Sequence, residues 1–393
     1  MENVYFVAGK RTAFGAFGGS LKDVSATDLG VAASQAALAQ IQLKPEHVDH
    51  VIFGNVVQAG VDAAYLSRHI GLKVGIPVNV GALILNRLCG SGFQSWVSAA
   101  QMIMTGEASV VLAGGVEQMS QIPYVMRNVR FGGLRLGPGE LEDVLTATLT
   151  DTYTGFPMAI TAENLGEKYS ITRDQVDEYS IKTQARCKAA LDKGIFNEEI
   201  AKVTIESKKG TVEFTKDEHP KPDVTLEKVK AMKPLFKPNG LVTAATASGI
   251  VDGAAASILV SEKKAKELSL KPLARIVSYA SVGCDPKIMG IGPAGASRLA
   301  LQRAGLKLEQ MDLVEVNEAF AAQYLAVEKE LGLNPEKTNV NGGAIAIGHP
   351  LGASGTRIMN HLVYELHRRK AKYALGSACI GGGQGIAVII ERV

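Results

Sequence analysis

The same stretch of pattern occurs twice in this chain, and the repetition limits the possible folds more than any single motif does. In the first half, the run Val51-Ile52-Phe53 precedes Asn86-Arg87-Leu88-Cys89-Gly90-Ser91-Gly92, a segment of helical period, and the apolar run Val110–Gly115. In the second, Val314-Glu315-Val316 precedes Gly348-His349-Pro350-Leu351-Gly352-Ala353-Ser354-Gly355, another helical segment, and the run Tyr373–Gly376. From Cys89 to Gly115 is 26 residues, and from His349 to Gly376 is 27. An echo of this kind marks a duplicated unit that buries its apolar face against its copy. Two copies about a pseudo-twofold axis are expected to place Cys89 and His349 at equivalent positions, facing each other across the junction.

Short β-branched runs at Val4–Ala8, Val48–Gly54, Ser109–Gly115, Leu313–Asn317 and Ile386–Glu391 alternate with segments of helical period at Ala26–Ala39, Phe93–Thr105 and Arg357–Arg368. The alternation predicts an α/β chain with helices layered on largely buried sheets. With 393 residues, the chain is longer than the ~250–300 residues that one core usually serves, so packed units are expected. Between the halves, residues 119–248 change in texture: a Gly/Leu/Pro stretch is followed by a strongly charged piece from Lys202 to Lys233. This reads as an inserted loop domain, either a surface excursion or a cover for a ligand lying between the halves. The expected organisation is a first half at 1–118, completed by about 249–268, the insertion at 119–248, and a second half at 269–393.

Several function classes drop out on composition. A formal charge of +3 with interspersed signs offers no basic face to a nucleic-acid backbone. No window of ~20 apolar residues free of charge exists, so no membrane span is expected. The cysteines at 89, 187, 284 and 379 form no Cys-x-x-Cys pair and are too sparse for a disulfide framework, which points to reduced thiols. The start shows neither a secretory apolar region nor an Arg/Ser-rich transit peptide.

Four places carry residue types suited to chemistry. Cys89 lies just ahead of a helical pattern, where a helix N-terminus lowers a thiol pKa and favours a nucleophilic thiolate; the alternative is a small buried core residue. His349 sits in a glycine-dense run, a poor way to fill a core and a good way to build a backbone-lined pocket. Cys379 precedes Gly381-Gly382-Gly383, whose free N–H groups can meet developing negative charge. A modestly tuned thiol there can move a proton near neutral pH; otherwise it is an inert buried cysteine. Asn317 and Glu318 follow the strand pattern at Leu313–Val316, where α/β enzymes place ligand-facing groups and where Asn317 can equally serve as a cap.

Asn-Arg-Leu-Cys-Gly-Ser-Gly at 86–92, Asn-Glu-Ala-Phe-Ala at 317–321, the run from Gly342 to Gly355 and Cys-Ile-Gly-Gly-Gly-Gln-Gly at 379–385 together resemble the thiolase family, in its order and spacing and over essentially the whole chain. The resemblance implies an α/β fold of five αβαβα layers from two duplicated halves, with an inserted loop domain at the CoA site. It implies that Cys89, activated by His349, attacks the C3 carbonyl of a 3-ketoacyl-CoA, that Cys379 protonates the departing acetyl-CoA enolate, and that His349 helps deprotonate the incoming CoA thiol. Asn317, through a water, and His349 would hold one thioester oxygen, and the N–H groups of Cys89 and Gly381 the other. Ser248 would meet the pantetheine amide, Met158 and Phe320 would line its tunnel, and Lys221 and Val224 would join the CoA site, Lys221 near the nucleotide end.

Two positions depart from the family pattern. Thr246 replaces a frequent asparagine, and Lys221 replaces a frequent arginine, whose planar stacking an ammonium lacks. The features Pro157–Asn164 and Asn128–Gly132 look more like the mitochondrial 3-ketoacyl-CoA branch than the acetoacetyl-CoA branch, where a histidine typically stands in place of Pro157. The same resemblance implies CoA and acyl-CoA thioesters as partners, no metal or permanently bound cofactor, a homodimer or homotetramer, and the mitochondrial matrix, or otherwise the cytosol. An acetoacetyl-CoA thiolase acting in condensation and a non-catalytic acyl-CoA carrier are the competing readings.

Overall fold

Residues 2–134, 136–207 and 210–393 are described by the computed structural model. The chain opens with strand β1 (Val4–Thr12) and runs through α1 (Ala26–Gln40), β2 (His50–Gly54), α2 (Leu66–Val74), β3 (Gly81–Leu85), α3 (Ser91–Thr105) and β4 (Val110–Glu117). The middle of the chain supplies α4 (Met158–Lys168) and α5 (Arg173–Asp192) before β5 (Val251–Ser261). Then follow β6 (Ala274–Gly283), α6 (Gly292–Ala304), β7 (Leu313–Val316), α7 (Ala321–Leu331), α8 (Ser354–Arg369), β8 (Tyr373–Ile380) and β9 (Gln384–Arg392).

These strands lie side by side in the order β7-β8-β9-β6-β1-β5-β4-β2-β3. Outward from the centre, β1-β5-β4-β2 on one side repeats β6-β9-β8-β7 on the other. In both arms the outer pair is parallel, β2 with β4 and β7 with β8, and the inner pairs are antiparallel. Even the irregularities repeat: β1 shifts register against β5 between Phe6 and Ala8, and β6 against β9 between Ile276 and Ser278. A single parallel bridge from Val314 to Thr338 stands where β3 stands in the first arm. Among the described residues the two arms pair as strands at just two positions, Tyr5 with Arg275 and Phe6 with Ala274, so packing joins them more than the strand ladder does.

Side-chain alternation along the strands builds the layers, because successive residues point to opposite faces. In β4, Val110 and Leu112 pack with α1 and α2, whereas Val111 and Ala113 pack with Phe93, Trp96 and Ile358 of α3 and α8. In β9, Ile386, Val388 and Ile390 join that central cluster, and Ala387 and Ile389 pack with α6 and α7. The order is therefore α1/α2, first sheet arm, α3/α8, second arm, α6/α7: five layers. Strands covered on both faces are apolar at nearly every position, which is why they read as runs in the sequence. At the centre Phe6 stacks on Trp96 with ring centroids 5.3 Å apart and meets the edge of Tyr364 at 6.1 Å. The indole N–H donates to Ser257 Oγ at 2.9 Å, so the buried ring carries no unpaired donor.

Helix α3 opens on Ser91-Gly92 and α8 on Ser354-Gly355. The two starts touch backbone to backbone: a Cβ on Gly92 would lie 2.5 Å from Thr356 N, and one on Gly355 2.2 Å from Phe93 N. Counted from these starts, Cys89 stands two residues ahead of its helix and His349 five ahead. Gly352 is thus the counterpart of Cys89, and the expected equivalence of Cys89 and His349 is corrected. The matching spacings arose because the longer approach on the His349 side is offset by a glycine nearer the start of β8.

Candidate active site

The turn between β3 and α3 fixes Cys89. Asn86 Oδ1 accepts from Leu88 N–H at 2.9 Å, and Ser91 Oγ accepts from Arg87 N–H at 2.8 Å while donating to Leu88 O at 2.7 Å. These bonds hold Leu88 at φ 46°, a left-handed conformation that costs a branched residue roughly 1–2 kcal/mol. The result is a sharp corner with Cys89 at its tip, half-buried and lining a cavity of about 210 Å³ together with Leu351, Met158, Leu149, Asp151 and Gly381. A larger, more open depression of about 970 Å³ lies against Val125–Gly133 and includes none of the cysteines.

The sulfur of Cys89 is met by its own backbone N–H and that of Gly381, both of which favour its anion. Burial outweighs them, Glu117 adds a like charge, and the thiol is pushed up to about 11. The expected depression of this pKa by the helix end is therefore corrected: a dry site costs the thiolate more than the dipole returns. At rest Cys89 is therefore a thiol. Cys379, near the end of β8, is fully buried. Burial, then the proximity of Cys89 and Cys284, raise its thiol well above the ordinary range, where the sequence reading expected modest tuning.

His349 follows the short helix Ala344–Ile347, and its N–H donates to Gly249 O at 2.9 Å. Its Nδ1 lies 2.6 Å from Ser354 Oγ, and that hydroxyl donates onward to Pro350 O at 3.1 Å. A hydroxyl that has spent its proton can only accept from Nδ1–H, which assigns Nε2 as the free basic nitrogen. Burial, then the positive charge of Arg357, bring the imidazole down to about 3. His349 is neutral at physiological pH and able to take a proton at Nε2.

Asn317 stands just past β7, with its Nδ2 at 3.3 Å from His349 Nε2 and its Oδ1 buried without a partner. Glu318 points the other way. Its carboxylate accepts from Tyr179 OH at 2.6 Å, Thr183 Oγ1 at 2.9 Å, Asn339 Nδ2 at 2.9 Å and Ile345 N–H at 3.0 Å. It therefore ties α5 to the segment leading into His349.

Met158 and Phe320 pack on the small cluster of Met289, Ala319 and Cys379, so both reach the sulfur-lined region. Ser248 N–H donates to Ala319 O at 3.0 Å, and Ala247 bridges Phe320, which sets Ser248 beside the same segment. Lys221 and Val224 occupy a turn closed by Val224 N–H to Lys221 O at 3.1 Å and held to α5 by Lys221 N–H to Gln184 Oε1 at 3.0 Å. Thus the structure gathers Cys89, Gly381, Cys379, Met158 and Phe320, and pairs His349 with Asn317. The Lys221–Val224 turn is anchored separately. Sequence reasoning assigned no role to Ser354 or Glu117. Ser354 lay in a run read mainly for its glycines, and Glu117 was legible only as a lone carboxylate closing an apolar strand.

Among the described residues no group of His, Cys, Asp and Glu could hold a metal ion, and no helix is long and apolar enough to cross a membrane. Residues 4–263 match the family described as thiolase, N-terminal domain, and residues 270–392 the one described as thiolase, C-terminal domain. The chain is 58% identical over 392 residues to the Homo sapiens 3-ketoacyl-CoA thiolase, mitochondrial, covering 100% of this chain and 98% of that one. It is 48% identical over 394 residues to the acetyl-CoA acetyltransferase of Cupriavidus necator, covering 100% of both. The crystal structure of human mitochondrial 3-ketoacyl-CoA thiolase matches with a TM-score of 0.98 at 57% identity, over 100% of this chain and 99% of that one. The crystal structure of the same human protein in complex with CoA matches with a TM-score of 0.96 at 58% identity, over 100% and 98%. With two family matches that together span nearly its whole length, on the duplicated fold described above, the chain belongs to the thiolase family.

Proposed function

We propose that the protein is a 3-ketoacyl-CoA thiolase, cleaving 3-ketoacyl-CoA with CoA to acetyl-CoA and an acyl-CoA shortened by two carbons. The observation that carries this reading is the meeting of the Cys89 sulfur, at the cavity it lines with Gly381, with the N–H groups of Cys89 and Gly381, and the buried Cys379 thiol close enough to feel the charge of that sulfur. Cys89 sulfur bonds to C3 as its proton passes to His349 Nε2, and the C3 oxygen becomes an oxyanion. The C2–C3 bond then breaks. Its electron pair leaves on C2 as the acetyl-CoA enolate, the acyl group stays on Cys89 as a thioester, and Cys379 gives its proton to C2. CoA enters, its thiol proton passes with the help of His349 to the Cys379 sulfur, and its sulfur takes the acyl group. Cys89 recovers its proton from His349, so the enzyme ends as it began. Donors fixed in a dry site typically supply ~2.7–4 kcal/mol each toward such an anion. Asn317 beside Nε2 and the two backbone N–H groups are the donors in this reading.

Met158, Phe320, Ser248, Lys221 and Val224 form the CoA-binding set, with residues 119–248 as a loop domain over the site between halves at 1–118 with 249–268 and at 269–393. CoA is a co-substrate, no cofactor is bound permanently, and the working form is a homodimer or homotetramer in the mitochondrial matrix. The human mitochondrial 3-ketoacyl-CoA thiolase and its complex with CoA, to which the chain is similar, support the substrate and compartment. A second reading, acetoacetyl-CoA thiolase, draws on the Cupriavidus necator relative. Thiolysis rates on acetoacetyl-CoA and 3-ketohexadecanoyl-CoA separate the two: turnover of the long substrate at a comparable rate is expected, and activity on acetoacetyl-CoA alone sinks the first reading. Mixing with acetyl-CoA is expected to add one acetyl group to Cys89 by peptide mass, and an unmodified Cys89 would sink both.

A further inference from the structure

We infer that Glu117 is a positioning residue of the thiolytic site: its carboxylate seats the turn that follows His349 against the first sheet arm, and its charge rests against Gly352, next to the Leu351 wall of the cavity that Cys89 lines. The inference rests on the reading of Cys89 as the acylated nucleophile.

Glu117 closes β4 and is fully buried. Among the described residues no Lys, Arg or His forms an ion pair with it, an expensive state for a carboxylate unless donors surround it. Four do. Val57 N–H and Asn55 Nδ2 reach Oε1 at 2.9 and 3.1 Å, and Val56 N–H and Gly352 N–H reach Oε2 at 3.1 and 2.8 Å. Three of these donors belong to the turn after β2 and the fourth to the other half of the molecule. Gly352 lies between Leu351, which lines the cavity beside Cys89, and Ser354, which holds His349 Nδ1. Its backbone is wedged on the strand ends: a Cβ there would lie 2.6 Å from Val116 O, 2.7 Å from Gly54 O and 3.0 Å from Glu117 Oε2. One buried side chain thus fixes where the histidine turn of the second half sits relative to the first.

Its second effect is electrostatic. Burial is the main reason the Cys89 thiol is raised, and the negative charge of Glu117 adds to it; the groups bonded to the carboxylate are backbone N–H and the Asn55 amide. Burial moves Glu117 itself up to about 7, so its charge is complete above neutrality and lost below. A filler of the same shape would have no such pH signature.

The test uses the full chain with Glu117→Gln and Glu117→Asp, reading iodoacetamide alkylation of Cys89 by peptide mass at pH 6 and pH 8.5, and thiolysis turnover per alkylatable Cys89. At pH 8.5, Glu117→Gln is expected to alkylate at least about three-fold faster than the parent, because a neutral amide no longer opposes the thiolate. At pH 6 the two converge, and Glu117→Asp, which keeps the charge, follows the parent at both. Turnover per site falls at least about ten-fold in both variants, in kcat rather than KM, since neither the amide nor the shorter acid reproduces the clamp. Equal alkylation of Glu117→Gln and parent at pH 8.5, or turnover per site within about two-fold of the parent in both variants, overturns the inference. Should Glu117→Gln not fold, Glu117→Asp decides by its turnover alone. A parent that takes no acetyl group on Cys89 would instead refute the underlying reading, an outcome visible before any variant is made.

Discussion

With the Cys89 thiol pushed up to about 11 and the His349 imidazole brought down to about 3, the two form no ion pair at rest, so in the proposed reaction the proton moves as the carbon–sulfur bond forms. That makes the tautomer of His349 decisive, and one hydroxyl sets it. Ser354→Ala removes the acceptor for Nδ1–H and lets the proton settle on Nε2, where it blocks the base. We expect kcat to fall about 10- to 100-fold with KM changed little, less than the ~10⁴-fold that the wrong tautomer costs when a carboxylate is replaced; steady-state thiolysis kinetics of the variant decide it. Cys89, His349 and Cys379 were legible as candidates from residue type and glycine context, and Asn317 from its place at a strand end. Their proton states were not, because desolvation depends on what closes over a side chain, and that comes from residues up to hundreds of positions away.

The two helices that carry the site on their N-terminal approaches, α3 and α8, were readable from apolar period, and each begins two or three residues earlier than its hydrophobic pattern shows. Both early starts are Ser-Gly pairs, in which the serine hydroxyl bonds the preceding turn and the glycine admits the other helix. Apolar period does not report such residues. Gly355→Ala tests the contact: a methyl 2.2 Å from Phe93 N, 2.7 Å from Gly92 C and 2.7 Å from the Phe93 ring has backbone and a buried ring to displace. We expect a loss of about 3 kcal/mol or more, at the upper end of overpacking effects, read as a lower denaturant midpoint. Thiolysis should fall as well, since the same displacement separates the turns bearing Cys89 and His349. Unchanged stability and activity would mean that the helices can part freely.

Across the whole molecule, charged side chains join the middle of the chain to the second half. Arg368 bonds Glu198 at 3.0 Å and, with Arg369, grips Glu365, while His361 meets Glu199 at 2.6 Å. Burial opposes ionisation of Glu365, but the hydrogen bonds from Arg369 and Arg368 prevail and hold it at about 2. A carboxylate lowered on folding contributes stability above its unfolded pKa of ~4.3 and loses it as pH falls toward the folded value. Glu365→Gln should therefore cost on the order of 2 kcal/mol at pH 7, after allowance for solvent around the half-open arginines. The deficit should shrink below pH ~4.3 and vanish near pH 2 in urea melts across pH; a pH-independent difference would assign the effect to packing. By itself the sequence determined the duplication, the alternation of strand and helix and the candidates for the reactive residues, because apolar period, glycine placement and residue type are local properties written along the chain. Only the tertiary structure decided that Gly352 rather than His349 mirrors Cys89, that Glu117 lies buried against Gly352, and that Cys89 keeps its proton at rest. Each of those depends on which segments of the two halves come into contact, and on the water they exclude in doing so.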